Sequence, residues 1–198
     1  MSLLFKLFLF AAIIHAIRTA LALKVWPSQP EQKLNGEVLQ LGSNLACIPD
    51  RSHLSADEVA KTTLICFPGF LEDMRMFLEV HHNTPAKLII INNANYQNPF
   101  TNPAITRPDW VAPNPHKVGT IEHDAFCVNK VIKHMTNGER VVLHGHSRGG
   151  AVVLEAGNQQ PELAQRCEAI LEPACVPQGR LADNGEKKMN PVGIYLSP

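Results

Sequence analysis

The chain has 198 residues, 45% of them hydrophobic, which suffices for one packed core and makes one domain the default. Its 18 basic and 18 acidic residues cancel, and no stretch is rich in Lys or Arg, so there is no electrostatic reason to expect nucleic acid as a partner. Five cysteines with no C-x-x-C spacing exclude a disulfide scaffold, a Cys-based zinc motif and a thioredoxin-like site.

The N-terminus reads as an export signal. Lys6 precedes an apolar run, Leu7 to Ile14, and Ala20-Leu21-Ala22 has the small residues of an A-x-A cleavage site. This predicts a signal peptide over 1–22, a mature chain from Leu23, and a secreted or extracytoplasmic protein. The alternative is an uncleaved anchor giving membrane association, against which His15 and Arg18 interrupt the apolar span. Export would permit one disulfide. Cys167 and Cys175 flank an extended segment and are too far apart to be that pair.

Within 23–198, EVLQL (37–41) alternates weakly and suggests an early strand, and Ser55 to Ala60 a short helix or turn. TTLICF (62–67) is a buried strand stopped by Pro68-Gly69. Leu71 to Val80 suits a short amphipathic helix, with His81-His82 at its end where positive charge is favourable. KLIIIN (87–92) is a second buried strand. Asn92 to Pro115 contains five prolines and reads as a long, functional loop. Thr120 caps a helix running to about Met135. RVVLH (140–144) is a third strand, GGAVVLEAGNQQ from Gly149 a helix, and EAILE (168–172) a fourth strand. Strands alternating with helices predict a mostly parallel α/β sheet. After Pro177 the pattern fades, although GIYLS (193–197) has strand character.

Residues 145–149, Gly-His-Ser-Arg-Gly, match G-x-S-x-G. A chance match arises in about one chain in fifteen of this length, so the pattern alone is moderate evidence. Its setting strengthens it, because a buried strand enters and a small-residue helix leaves, as a nucleophile elbow requires. Gly145 and Gly149 remove Cβ atoms from a turn too sharp for them, and Gly150 gives the helix room against the sheet. Ser147 would then stand above the strand ends, at the positive end of a new helix.

On these residues, the stretch from about 60 to 175 resembles the first two-thirds of an α/β-hydrolase core of the lipase/esterase-like serine hydrolases. The resemblance implies a mostly parallel sheet with helices on both faces. It implies an oxyanion hole made by the backbone N–H groups of Arg148 and Phe70, the latter in Pro68-Gly69-Phe70 where relatives often carry His-Gly. It also implies Ser147 as nucleophile, an acyl ester as small-molecule or lipid-like substrate, and neither metal nor cofactor. Some lipases carry an acid where Glu172 stands, which makes it the candidate triad acid, with Asp183 as a weaker one.

The superfamily order is Ser, acid, His, yet all nine histidines (15, 53, 81, 82, 116, 123, 134, 144 and 146) precede Ser147. His146 lies beside the nucleophile and is a poor base. His144 is read as packed in its strand, His144-x-His146 lacks a third metal ligand, and His116 or His123 would need an unusual topology. The expectation is a partial domain over 23–198 that ends after the sixth core strand, with activity in doubt. The alternative is a catalytically inactive fragment or binding protein on the same fold. A nucleotide-binding protein is not expected, because neither a P-loop nor a G-x-G-x-x-G follows any strand.

Overall fold

The computed structural model describes residues 3–25, 32–101 and 103–172. Cys175, Asp183 and the GIYLS segment lie outside the described residues. The chain divides into two compact units, Met1–Gln32 and Lys33–Pro198. The first holds α1 (Leu3–Val25), whose Phe5, Leu9, Phe10, Ile13, Ile14 and Ile17 are all exposed. Among the described residues no helix is long and apolar enough to cross a membrane.

The second unit is a seven-stranded sheet. Its strands are β1 (Gly36–Leu41), β2 (Asn44–Pro49), β3 (Thr62–Phe67), β4 (Lys87–Ile91), β5 (Ile105–Thr106), β6 (Arg140–Gly145) and β7 (Cys167–Leu171). They lie in the order β5-β1-β2-β4-β3-β6-β7. β1–β2 and β2–β4 pair antiparallel, and every other pair is parallel. This is a mixed, mostly parallel sheet of an α/β fold, as the sequence predicts. The helices are α2 (Ala56–Val59), α3 (Arg75–Val80), α4 (Ile121–Met135), α5 (Arg148–Gln159) and α6 (Pro161–Ala164).

Apolar residues in β3, β4 and β6 run without interruption because both faces of these strands are covered. The period of two divides them. Ile65, Phe67, Ile89, Ile91, Val141 and Leu143 face a core completed by Val128 and Val131 of α4 and Val152 and Val153 of α5. Leu64, Cys66, Leu88, Ile90 and Val142 face a second core closed by Met74 and Phe77 at α3. β7 is covered poorly, with Ile170 46% and Leu171 40% exposed.

Thr120 caps α4 as expected, its Oγ1 accepting the His123 N–H at 3.3 Å. Three local expectations need correction. Sequence patterning finds β1 but not its hairpin partner β2, whose Gly42 turn has φ +73. The helix expected from Leu71 begins only at Arg75, because Leu71 is left-handed (φ 63) and Asp73 Oδ1 takes up the Arg75 N–H at 2.8 Å. The long loop carries β5, a two-residue strand pairing with β1.

Candidate active site

β6 ends at Gly145, and α5 begins at Arg148. Two residues therefore reverse the chain from strand to helix. Ser147 absorbs the reversal at φ 51, ψ −118, a conformation rarely adopted by side-chain-bearing residues. The two glycines make it feasible. A Cβ on Gly149 would lie 1.9 Å from the Phe67 carbonyl oxygen, and one on Gly145 would lie 2.4 Å from the Gly149 carbonyl oxygen. Both clashes are with backbone, so no side-chain rotation relieves them. Around the elbow, the parallel register sets Phe67 beside Gly145 and Gly145 beside Leu171. The His146 N–H donates to Phe67 O at 3.2 Å, and the Glu172 N–H donates to Gly145 O at 3.0 Å. Pro68-Gly69, Ser147 and Glu172 thus collect at the C-terminal ends of three adjacent parallel strands, where open α/β sheets bind ligands.

The loop after β3 runs against the serine, since a Cβ on Gly69 would come within 3.0 Å of Ser147 Cβ. Glu72 Oε2 holds the loop by accepting the Gly69 N–H at 2.7 Å, and it also faces His146 Nδ1 at 2.7 Å. Asn93, just past β4, donates from Nδ2 to Gly69 O at 2.9 Å. Neither the Phe70 nor the Arg148 N–H is taken up by a hydrogen bond with another described residue.

Arg148 anchors the start of α5. Its Nη1 lies 2.7 Å from Oδ2 of the fully buried Asp124 on α4, and its guanidinium also donates to Asn93 Oδ1 and, at 3.3 Å, to Gly119 O. Asn44 Nδ2 donates to the other Asp124 oxygen at 2.7 Å. A buried carboxylate needs such partners. The Arg148 side chain is therefore committed to this pair, with 18% of it exposed.

Glu172 faces two histidines, His144 Nε2 at 3.0 Å from Oε1 and His146 Nε2 at 3.7 Å from Oε2. His144 Nδ1 in turn meets His81 Nε2 at 2.9 Å, and His81 Nδ1 meets Thr84 Oγ1 at 3.1 Å. His81 does close α3, but the charged helix-end role expected for it is wrong. Burial, then the neighbouring His144 and Arg51, hold its pKa down to about 4, so it is neutral near pH 7.

The structure thus brings together Ser147, Gly145, Gly149, Phe70, Arg148 and Glu172, all expected from sequence. His116 and His123 instead line a 360 Å³ cavity with Trp110, Phe126 and Lys130, and none of the elbow residues lines it. Glu72, Asn93 and Asp124 escaped the sequence analysis, and His81 entered it only as a helix end. They are single polar residues without motif spacing, recognisable only once strands 20 to 80 residues apart have paired.

No protein-family model matches the chain, and no curated protein matches it in sequence. Among solved structures, the fold is similar to esterase 2 of Thermogutta terrifontis phosphonylated by sarin. That match has 14% identity and a TM-score of 0.44, and it covers 82% of this chain and 61% of the other. It is also similar to an acetylester hydrolase of Corynebacterium glutamicum, at 16% identity and TM-score 0.37, covering 71% and 43% respectively. The chain spans about three-fifths or less of the length of these structures.

Proposed function

We propose that this chain carries the nucleophile and oxyanion hole of a serine hydrolase acting on carboxylic esters. The observation that carries the reading is Ser147 at φ 51 between a buried strand and a helix N-terminus, on a turn that two glycines alone permit. Packing gives no reason to hold a serine in a strained, protruding turn, and strain of this kind persists where the surroundings over-determine it for function. In this reading Ser147 Oγ attacks the ester carbonyl. The Phe70 and Arg148 N–H groups, neither bonded to another described residue, receive the developing oxyanion, the alcohol leaves, and water releases the acyl group. The base that takes the Ser147 proton is not assigned among the described residues, since both ring nitrogens of His146 face carboxylates, Nδ1 toward Glu72 at 2.7 Å and Nε2 toward Glu172 at 3.7 Å. Glu172, at the end of β7, is the candidate acid and lies against His144 and His146.

A second reading, an inactive α/β-hydrolase-fold binding protein, is favoured by one observation. Glu172 makes its shorter contact to the buried His144, not to a histidine following the serine. Labelling with a fluorophosphonate probe separates the two. Labelling of the folded chain that disappears in Ser147→Ala supports the hydrolase. Absence of labelling in a verified folded chain supports the binding protein. The proposed export signal over 1–22 is tested by sequencing the N-terminus of protein recovered outside the expressing cell, where Leu23 is expected first.

A further inference from the structure

We propose that Cys66, His81 and His144 form a buried binding site for a soft divalent cation, Zn²⁺ in the first instance. Cys66 Sγ and one ring nitrogen from each histidine lie within 4.8 Å of one another, and all three residues are buried. The placement follows from the fold. Cys66 and His144 are register partners on neighbouring parallel strands, β3 and β6, and His81 at the end of α3 covers them. They form a polar island on a sheet face otherwise lined by Leu64, Leu88, Ile90 and Phe77. Burying two imidazoles and a thiol there is costly unless they are satisfied together.

The outer partners are those of a metal site. A ligating histidine ordinarily donates its second ring N–H to a carboxylate or other oxygen, which fixes the ring. Here His144 Nε2 faces Glu172 Oε1 at 3.0 Å, and His81 Nδ1 faces Thr84 Oγ1 at 3.1 Å. The inward atoms are then His144 Nδ1 and His81 Nε2, 2.9 Å apart. Tetrahedral Zn²⁺ with about 2.0–2.1 Å bonds to nitrogen and about 2.3 Å to sulfur sets ligand atoms about 3.3–3.6 Å apart. The imidazoles need open by only about 0.4 Å. One thiolate and two imidazoles suit zinc, and a fourth position remains for water.

Proton placement is consistent in both states. Without metal, the Thr84 hydroxyl donates to His81 Nδ1, His81 Nε2–H donates to His144 Nδ1, and His144 Nε2–H donates to Glu172. On binding, the His81 proton moves to Nδ1, the Thr84 hydroxyl turns to accept it, and the Cys66 proton leaves to solvent as the thiolate binds the cation. Sequence spacing hides the site, because its ligands are 15 and 63 residues apart and His146, the apparent partner of His144, points to Glu72.

The site does not depend on the hydrolase reading. The full chain, prepared without a histidine tag and stripped by a chelator, is titrated with Zn²⁺ against a chromophoric competitor and with Co²⁺ in the ultraviolet. The expected result is one Zn²⁺ per chain and a thiolate-to-cobalt charge-transfer band. Affinity should fall more than about 100-fold in Cys66→Ser, beyond the about 10- to 100-fold of an outer-shell change such as Thr84→Val. Ser147→Ala should bind Zn²⁺ as the parent does, whatever labelling shows. If the Cys66 variant does not fold, parent stoichiometry and the cobalt band decide. A parent that binds no Zn²⁺, or binding unchanged in a folded Cys66→Ser, overturns the proposal.

Discussion

Replacing Ser147 with glycine should make the protein more stable. Ser147 sits at φ 51, ψ −118. Holding a side-chain-bearing residue in such a region costs about 1–3 kcal/mol, and glycine avoids that cost. Against this, glycine gains freedom in the unfolded chain, a loss of about 0.5–1 kcal/mol. The net expectation is stabilisation of about 0.5–2 kcal/mol. The proper reference is Ser147→Ala, which lacks the hydroxyl equally but keeps the strained Cβ, so every contact of Oγ cancels. With a urea dependence of about 2 kcal/mol per molar, Ser147→Gly should unfold about 0.25–1 M later than Ser147→Ala at 25 °C. It should melt about 1–8 °C higher. A Gly variant no more stable than the Ala variant would mean that the elbow is not strained, and the argument from strain to nucleophile would fail.

Two glycines of α5 should respond oppositely to alanine. Gly149→Ala drives a Cβ into the Phe67 carbonyl and should cost more than about 3 kcal/mol or prevent folding, whereas a Cβ on Gly157 makes an ordinary 3.4 Å contact with Ala164, and Gly157→Ala should stabilise by up to about 1 kcal/mol. Comparing their melting temperatures checks both. Arg148→Ala strands the Asp124 carboxylate and should cost about 3–5 kcal/mol by urea unfolding, with much of that recovered when Asp124→Asn is added. Burial pushes the thiols of Cys47 and Cys127 up to about 12, so at pH 8 a thiol reagent should leave both unmodified in the native protein and modify both in denaturant. Because the unfolded thiols release protons first, near pH 8.5, stability should fall as pH rises above about 9, which unfolding at pH 8 and pH 10 measures.

The elements with strong local signals were legible in the sequence. TTLICF, KLIIIN and RVVLH are runs that only a doubly covered strand buries, and the glycines at 145 and 149 announce a close backbone approach that the structure contains. β2 was missed because NLACIP has no clean alternation, its Asn44 being buried as a partner of Asp124. The polar framework was less legible than the elbow it supports. A buried Asp124 or His123 on the inner side of α4 looks, in sequence, like a break in the apolar stripe. Only the assembled fold shows that Asn44 and Arg148 meet it there. His81 misled for a related reason, since position at a helix end suggests charge, while its depth decides otherwise.

The ties on Arg148 have a further consequence. The residue after the proposed nucleophile is pinned to Asp124, which Asn44 holds, and to Asn93. These residues come from four separate stretches of chain, and no subset of neighbouring segments can rebuild the contact. The elbow geometry of Ser147 therefore has no local existence. It appears when the β1–β2 hairpin, the end of β4 and α4 have docked together, and it vanishes when any one of them leaves. As the proposed nucleophile, the serine is a gauge of assembly, and loss of its fluorophosphonate labelling on heating should coincide with global unfolding and not precede it.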